Sequence, residues 1–416
     1  MRAVALIDGE HYAPVVRAAL AELPYDFVGA HLLGGTEKLR GGDEYGVPLA
    51  ATLEAALEAH GPEVVVDLSD EPVLGPRERF AVASRVLARG LPYVGADFRF
   101  DPPPFEPFAL PSLGIVGTGK RVGKTAITAH AAQLLSRDRE VVVVSMGRGG
   151  PAEPEVAEVA PTVEALLALS DEGRHAASDY LETAALAGVR TIGCRRCGGG
   201  LAGAVYASNV GAGARRAAEL RPDLVIFDGS GAALPPVETR RRVLVVNAQQ
   251  DPEVVTGYLN HYRHLISDLV VLTMAEPGSG WEALRDRAAG LGAPVVATTL
   301  RPRPAEPVSG RRVAFFSAAP EQALAGLGQH LEREHGAEVT HVSGSLSDRG
   351  RLRRELESVE AEVFLVELKA AAVDVVAAAG RERGIDVVLA GSDVRSDAAG
   401  PGLDDELLRL AREAAA

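Results

Sequence analysis

Cysteine, lysine and long apolar runs are scarce in this sequence, and each scarcity limits what the chain can be. The two cysteines, Cys194 and Cys197, cannot form a framework of disulfides, so a reducing compartment is expected. No apolar run is long enough to span a bilayer. The first residues also lack the charged, apolar and small-residue regions of a signal peptide. We therefore expect a cytoplasmic protein without a membrane partner.

The charge balance is acidic, with a formal net charge of −14 and a pI of about 5.3. General nucleic-acid binding needs a large cationic surface, so we expect no nucleic-acid partner. Only four of the 43 basic residues are lysine, and two of the four, Lys120 and Lys124, fall within one nine-residue stretch. Lysine kept in an arginine-rich chain indicates a place where a compact ammonium must reach a phosphate.

The length of 416 residues is too great for one hydrophobic core and suggests two or three domains. Strand patterns alternate with helical stretches throughout, which predicts parallel sheets covered by helices. Proline-rich stretches at 101–107 and 301–307 predict stiff, extended linkers. The resulting domains are 1–110, 111–300 and 301–416. Strands are predicted at 3–7, 26–31, 63–68, 92–95, 113–116, 140–145, 223–228, 242–247, 268–273, 294–298, 311–317, 338–342, 362–367 and 385–390, and a final helix at 403–414.

A glycine-rich loop, Gly-Thr-Gly-Lys-Arg-Val-Gly-Lys-Thr, follows the first strand of the central segment and opens a helix. Its backbone N–H groups and the positive helix end can surround phosphates, so it predicts a P-loop that binds ATP. Lys124 is expected to reach the β and γ phosphates, and the hydroxyl of Thr125 to hold Mg²⁺. The expected ATP-binding loop residues are Gly117, Thr118, Gly119, Lys120, Arg121, Val122, Gly123, Lys124 and Thr125.

Two features of this loop go beyond the usual pattern. Thr118 stands where the pattern has its first glycine, flanked by two other glycines. Lys120 and Arg121 lie inside the loop, where they either add charge against the triphosphate or an anionic co-substrate, or are ordinary surface charges.

The metal partner of the loop should be an acid at the end of a neighbouring strand. Asp228 follows four apolar residues and precedes Gly-Ser-Gly, so it is expected to hold Mg²⁺ directly or through water. Cofactors are therefore ATP and Mg²⁺.

Arginines next to glycines are candidate anion ligands. Arg148 follows a strand and has glycines on both sides, which lets the backbone approach a ligand closely. Arg195 and Arg196 precede the glycine run 198–200, and we expect them in a loop that captures anions. The run of three arginines at 240–242 leads into a strand and more often marks a solvated edge.

The two cysteines have the spacing of half a zinc site or of a redox pair. No second cysteine pair exists in the sequence, and no paired histidines stand nearby at ligand spacing. We therefore do not expect a metal or redox role for Cys194 and Cys197.

The loop resembles that of dethiobiotin synthetase, which has the form Gly-Thr-x-x-x-Val-Gly-Lys-Thr. The whole chain is more similar to the cyclic 2,3-diphosphoglycerate synthetase family. The matching stretches occur in the same order along the chain; they are 5–12, 34–38, 67–72, 146–155, 195–203 and 255–259 and, more weakly, 312–316 and 367–371.

This resemblance implies an α/β enzyme with a central P-loop domain and a parallel sheet, flanked by Rossmann-like N-terminal and C-terminal segments. It implies that ATP and 2,3-bisphosphoglycerate give cyclic 2,3-diphosphoglycerate, ADP and phosphate. We further expect a homodimer. Lys124, Lys120, Arg148 and Asp228 are expected to carry the chemistry.

The resemblance also adds residues to the expected site. Asn247, which ends a strand, is expected from the likeness to dethiobiotin synthetase to bond an adenine edge, with a turn-forming role as the alternative. Asp8, Glu10 and His11 follow the first strand, and with Lys38 they are expected to bind the substrate. If they do, the substrate lies in a cleft between the first and second segments.

Two alternatives stay open at this point. One is a ligase like dethiobiotin synthetase that acts on another carboxylate or phosphate substrate. The other is a nucleotide-dependent switch or assembly ATPase, against which the arginine- and glycine-rich loops and the extra N-terminal segment argue.

Overall fold

The computed structural model describes residues 1–35, 39, 44–71, 73–396, 400 and 402–416. The chain divides into two compact units, which are described separately below. The first comprises Met1–Pro104, Gln250–Ile266 and Arg287–Ala293, and the second comprises Phe105–Gln249, Ser267–Asp286 and Pro294–Ala416. None of the helices in the described residues is long and apolar enough to cross a membrane.

The first unit is built around a six-stranded sheet of order β3-β2-β1-β4-β5-β6. All its strand pairs are parallel except β5 with β6. The residues of β4 are all buried, as expected for a parallel strand with both faces covered. The elements up to residue 100 are β1 (Arg2–Asp8), α1 (Ala13–Glu22), β2 (Asp26–Gly34), β3 (Leu49–Ala50), α2 (Leu53–His60), β4 (Val64–Asp67), α3 (Pro76–Ala88), β5 (Tyr93–Val94) and β6 (Arg99–Phe100).

The next part of the chain contains the P-loop. Its elements are β7 (Ser112–Gly117), α4 (Lys124–Leu135), β8 (Val141–Gly147), β9 (Glu155–Ala157), α5 (Val163–Asp171), α6 (Asp179–Ala187), β10 (Thr191–Cys197), β11 (Ala207–Ser208), α7 (Val210–Glu219), β12 (Leu224–Asp228), β13 (Arg241–Asn247), α8 (Pro252–Thr256), α9 (Asn260–Leu265), β14 (Leu269–Thr273) and α10 (Glu282–Ala289). Of these, α8, α9 and the last three residues of α10 belong to the first unit.

The last part comprises β15 (Val295–Pro304), β16 (Arg312–Phe316), α11 (Glu321–His335), β17 (Glu338–Ser343), α12 (Arg349–Ser358), β18 (Val363–Glu367), α13 (Ala378–Arg383), β19 (Asp386–Ser396) and α14 (Leu403–Ala415). A short 3-10 helix at Ser345–Ser347 and a π-helix at Ala372–Ala377 follow β17 and β18.

One sheet runs through the whole second unit, in the order β11-β10-β8-β12-β7-β13-β14-β15-β19-β18-β16-β17, with β9 beside β10. The strand β15 pairs in parallel with β14 through Val295–Ala297, and its remaining residues, Thr298–Pro304, pair with β19 in the antiparallel sense. Because β16, β17 and β18 all run parallel to β19, the direction of the strands reverses at this point. The carboxyl ends of β7 and β12 therefore face those of β16 and β18.

The expected fold class is confirmed: both units are α/β, and each predicted strand has a counterpart. The proline-rich stretch 301–307 is not a free linker, because its first half is the end of β15, a strand paired on one side by β19. Proline is compatible with this place, since it lacks only the N–H donor. The domain boundaries at 110 and 300 stay predictions.

The C-terminal helix α14 contributes to the core beneath the P-loop helix. Its apolar residues recur every three or four positions, which gives one apolar face. Leu403, Leu407 and Leu410 are buried in the same cluster as residues of α4 and β7. The last helix of the chain therefore stabilises the unit that holds the P-loop.

We predict that Leu407→Ala lowers the free energy of unfolding by about 2–5 kcal/mol, because it leaves a cavity in a packed core. Leu201→Ala is the matched control: its side chain is 67% exposed, and a change within about 0.5 kcal/mol is expected. Chemical denaturation measures both. Equal effects of the two substitutions would show that α14 is not packed as described.

Candidate active site

The P-loop lies between a buried strand and a helix, as its sequence predicts. Every residue of β7 is buried, and α4 begins at Lys124. Gly123 has a φ of +79°, and a Cβ there would lie 2.9 Å from Leu300 Cδ1 and 3.0 Å from Thr273 Cγ2. Both conformation and space therefore require glycine at this position. Thr125 follows at the N-terminal end of α4, while Lys120 and Arg121 are exposed.

Lys124 and Asp228 form the central ion pair of the loop. Lys124 Nζ lies 3.2 Å from Asp228 Oδ1, and Thr128 Oγ1 donates a hydrogen bond to the same oxygen at 3.2 Å. Asp228 is buried, so its environment raises the pKa of the carboxyl, and the charge of Lys124 opposes that rise. A carboxylate at the end of β12 is thus held beside the loop, where the sequence predicts it.

The unusual Thr118 is buried at the start of the loop. Its N–H donates to Val245 O at 3.2 Å, and its hydroxyl has no hydrogen-bond partner within the described part of the chain. A buried hydroxyl without a partner is costly unless something else completes it. Inside a phosphate-binding loop, a phosphate oxygen is an acceptor that could do so.

Arg121 and Asn247 are tied into the loop by their own contacts. Arg121 has a φ of +58°, and its Nη2 donates to Ser347 Oγ at 3.0 Å. Asn247 Nδ2 donates to Arg121 O at 3.3 Å, and Asn247 Oδ1 accepts from Gln249 N at 2.8 Å. These contacts give Asn247 the turn-forming role, and contact with adenine stays a prediction.

Arg148 and Arg196 meet at the turn that follows Asp228. Arg196 Nη2 donates to Ser230 O at 2.8 Å, and a Cβ on Gly231 would lie 2.8 Å from Arg148 Nη2. Burial lowers the pKa of Arg196, and the positive charge of Arg148 lowers it further. Two cations held this close repel each other, so together they attract an anion.

Arg195 is placed differently from its neighbour. Both arginines lie in β10 and not in the expected loop, because the strand continues to Cys197. Successive strand residues point to opposite faces, so Arg195 and Arg196 point apart. The N–H of the exposed Arg195 donates to Asn209 Oδ1 at 2.7 Å, and no contact described for the chain joins its side chain to Arg148.

The run of three arginines at 240–242 holds the start of β13 in place. Arg241 Nε lies 2.9 Å from Glu413 Oε2, and Arg240 Nη2 donates to Ala109 O at 3.1 Å. These contacts give Arg240 and Arg241 a structural role at the start of an interior strand.

The two cysteines differ in their exposure to solvent. Cys194 is buried and Cys197 exposed, and burial raises the pKa of the Cys194 thiol to about 12. No group of three or more possible metal ligands occurs among the residues that the structure describes.

Four charged residues near the loop are missing from the sequence-based site. Asp179 and Glu182 lie on α6, and Glu367 and Lys369 lie at the end of β18. Burial raises the pKa of Glu182 to about 7. The positive charge of Lys369 opposes this rise, and three negative charges add to it, those of Asp179, Glu367 and Asp228. In the sequence, Asp179 is an ordinary acid in the first turn of a helix. Lys369 could have been found as one of the few lysines.

The first unit has its own polar cluster at the ends of β1 and β4. Asp8 is fully buried; its Oδ1 accepts from Glu10 N at 3.0 Å and lies 2.7 Å from His11 Nδ1, and its Oδ2 accepts from Asp70 N at 2.6 Å. The carboxylate therefore fixes the orientation of the partly exposed imidazole. Lys38 lies outside the described residues.

Comparisons with known proteins identify the family of the chain. Three domain models of cyclic 2,3-diphosphoglycerate synthetase match the chain: the N-terminal domain at residues 2–101, the P-loop domain at 112–285 and the C-terminal domain at 304–393. The chain belongs to the cyclic 2,3-diphosphoglycerate synthetase family.

Relatives match this member of the family over nearly their whole length. The cyclic 2,3-diphosphoglycerate synthetase of Rubrobacter xylanophilus is 52% identical, over 100% of this chain and 98% of its own. That of Thermococcus gammatolerans is 44% identical, over 99% and 97%. Among solved structures, apo-form LpxK from Aquifex aeolicus in complex with ATP gives a TM-score of 0.47 at 15% identity, covering 82% of this chain and 96% of that one. A structural likeness this weak adds nothing to the assignment.

We predict that Glu182→Gln stabilises the protein more at pH 8.5 than at pH 5.5, relative to the wild type. The folded-state pKa of Glu182 is raised to about 7, so its favourable contribution is lost as the pH rises through that value. A neutral glutamine does not lose a proton. Thermal unfolding at the two pH values measures the difference, with Glu164→Gln, on the first turn of α5, as the control. A pH-independent difference would contradict the burial described.

Proposed function

We propose that the chain catalyses the ATP-dependent closure of 2,3-bisphosphoglycerate to cyclic 2,3-diphosphoglycerate, with release of ADP and phosphate. The observation that carries this proposal is the match of three synthetase domains, in order, to a chain whose middle domain holds a complete P-loop with its acidic partner.

ATP binds at the loop 117–125 in this proposal. Lys124 leaves its pairing with Asp228 far enough to contact the β and γ phosphates, and the backbone N–H groups at the start of α4 surround them. Lys120 and Arg121 add positive charge on the exposed side of the loop. Thr118 supplies the hydroxyl that has no partner within the described residues.

Mg²⁺ is the expected metal, and the donor chemistry fits it. Thr125 offers a hydroxyl at the start of α4, and Asp228 offers a carboxylate at the end of β12; both are oxygen ligands of the kind this ion prefers. When bound, Mg²⁺ neutralises charge on the triphosphate.

The substrate is densely anionic, and this makes the arginines necessary. Bisphosphoglycerate carries two phosphates and a carboxylate, and the γ-phosphate that it must approach is negative as well. Guanidinium groups can bind such oxygens in pairs and cancel the repulsion. Arg148 and Arg196 are the pair that we assign to this role, since they converge beside Asp228.

In the first unit we assign an anion-contacting or proton-transferring role to His11. Asp8 holds Nδ1 of its ring, which leaves Nε2 to face a ligand or Asp70, 3.4 Å away. Glu10 and Lys38 remain sequence predictions of substrate binding.

The reaction has two steps that balance. A phosphate oxygen of the substrate attacks the γ-phosphorus, the bond from that phosphorus to the β–γ bridging oxygen breaks, and ADP leaves. An oxygen of the second phosphate then attacks the first phosphate's phosphorus and expels orthophosphate. Because both phosphates belong to one molecule, ring closure is effectively unimolecular, which removes on the order of several kcal/mol from the barrier.

No observation favours a ligase for another substrate or a switch ATPase over this activity. The homodimer and the cytoplasmic location are proposed from the sequence alone.

The activity itself is tested by incubating the protein with ATP, Mg²⁺ and 2,3-bisphosphoglycerate and recording ³¹P NMR spectra. We expect new phosphoanhydride resonances that grow together with ADP and phosphate. Lys124→Ala is the control and should abolish them, since it removes the phosphate-binding cation. ATP hydrolysis without a new resonance would contradict the proposal and favour a switch ATPase.

The adjacent arginines offer a matched pair of variants. We predict that Arg196→Gln raises KM for 2,3-bisphosphoglycerate by about tenfold or more, since a charge-assisted phosphate contact is lost. Arg195→Gln, one residue away on the opposite face, should change KM less than about twofold. Steady-state kinetics with saturating ATP separate the two. Equal effects would favour the sequence prediction that both arginines bind the substrate.

A further inference from the structure

Lys369 lies in a strained turn directly after β18. Its N–H donates to Glu367 O at 2.7 Å, its carbonyl accepts from Ala372 N at 2.9 Å, and the next residue, Ala370, has a φ of +46°. A left-handed conformation at a non-glycine residue is unfavourable and is often found at functional sites. The turn fixes where the lysine side chain leaves the backbone.

The ion pair of Lys369 with Glu182 leaves part of the lysine side chain exposed. Nζ lies 3.6 Å from Glu182 Oε1, a distance beyond that of a good hydrogen bond. The glutamate side chain is 7% exposed, while that of Lys369 is 44% exposed. The charge of Glu182 raises the pKa of Lys369, so the ammonium stays protonated. If Lys369 only neutralised Glu182, we would expect Nζ to lie within hydrogen-bond distance of the carboxylate and the lysine side chain to be as buried as the glutamate.

Lys369 and Asp228, the acidic partner of the P-loop, both lie in the second unit and are affected by the charge of the same residue, Asp179. The negative charge of Asp179 raises the pKa of four other groups, which are Lys369, Glu182, Asp228 and Arg196. The reversal of strand direction at β15 places the end of β18 opposite the ends of β7 and β12. The strands on the two sides of β15 are also joined by a direct contact, since Arg121 in the loop donates a hydrogen bond to Ser347, which follows β17.

We propose that Lys369 is a substrate-binding residue of the active site, whose ammonium exchanges Glu182 for a phosphate of the bisphosphorylated substrate. The inference rests on the proposed function, and it gives the C-terminal segment a part in the chemistry. Lysine suits this task because its compact ammonium can turn from a carboxylate to a phosphate without the planar geometry that a guanidinium requires.

The substrate, and not ATP, is the expected source of the phosphate. Lys124, the backbone of the loop and the exposed Lys120 already provide positive charge for the triphosphate. A substrate that attacks the γ-phosphorus must approach from the side away from ADP. Lys369 lies beyond the strand reversal at β15, on the part of the sheet that the loop faces.

The test compares KM for 2,3-bisphosphoglycerate and for ATP in four proteins: wild type, Lys369→Met, the double variant Glu182→Gln/Lys369→Met, and Arg381→Met. Arg381 forms an exposed ion pair with Asp171 in the same unit and serves as the control. We expect Lys369→Met to raise KM for bisphosphoglycerate at least about tenfold, with KM for ATP changed less than about twofold. The control should resemble the wild type.

The double variant separates binding from structural neutralisation. If Lys369 only balances the buried Glu182, removing both charges restores the wild-type KM and overturns the inference. If it binds substrate, the double variant keeps the raised KM. A rise confined to KM for ATP also overturns the inference, because the phosphate is then that of the nucleotide.

A second measurement keeps the test independent of the proposed function. Should the wild type form no cyclic product, that function fails, and equilibrium binding of inorganic pyrophosphate by the same four proteins decides the role of Lys369. Weaker binding by both Lys369 variants, and not by Arg381→Met, supports an anion-binding lysine. Equal binding by all four proteins overturns it.

Discussion

The candidate site depends on a single long strand, β15, at which the sheet of the second unit reverses its strand direction. One end of β15 extends the parallel sheet of the P-loop, and the other pairs with β19 in the antiparallel sense. Ligands bind at the carboxyl ends of parallel strands, and this reversal turns two such edges toward each other. Lys124, Asp228 and Arg196 come from one edge, and Ser347 and Lys369 come from the other.

The charges at these edges suit an anionic substrate. Buried acids such as Asp228 and Glu182 are held beside lysines, and in both pairs the lysine is more exposed than the acid. The acids keep the cations in place while no ligand is bound. We propose that a phosphate then replaces the acid as the partner of the ammonium, so that binding does not require an unpaired cation to be buried beforehand.

The fold class, the P-loop and the acid after β12 can be predicted from the sequence, because short stretches of residues define each of them. The loop at 117–125 and the acid after β12 are defined by patterns of a few residues, and the alternation of strands and helices predicts the fold class. The sequence predicts Arg195 and Arg196 together in a loop, yet the strand β10 continues through both and points their side chains to opposite faces. Lys369 and Glu182 meet only because strand direction reverses at β15, and local periodicity contains no information on pairing between strands so distant in the sequence.

In the proposed reaction the γ-phosphoryl group passes to the substrate and not to water. The most direct test is to run the reaction in H₂¹⁸O and to examine the released phosphate for isotope shifts by ³¹P NMR. Transfer to the substrate followed by ring closure predicts phosphate without solvent oxygen, because its fourth oxygen comes from a substrate phosphate. Phosphate that carries one solvent ¹⁸O would show that the γ-phosphoryl group passes to water and would contradict the proposed reaction.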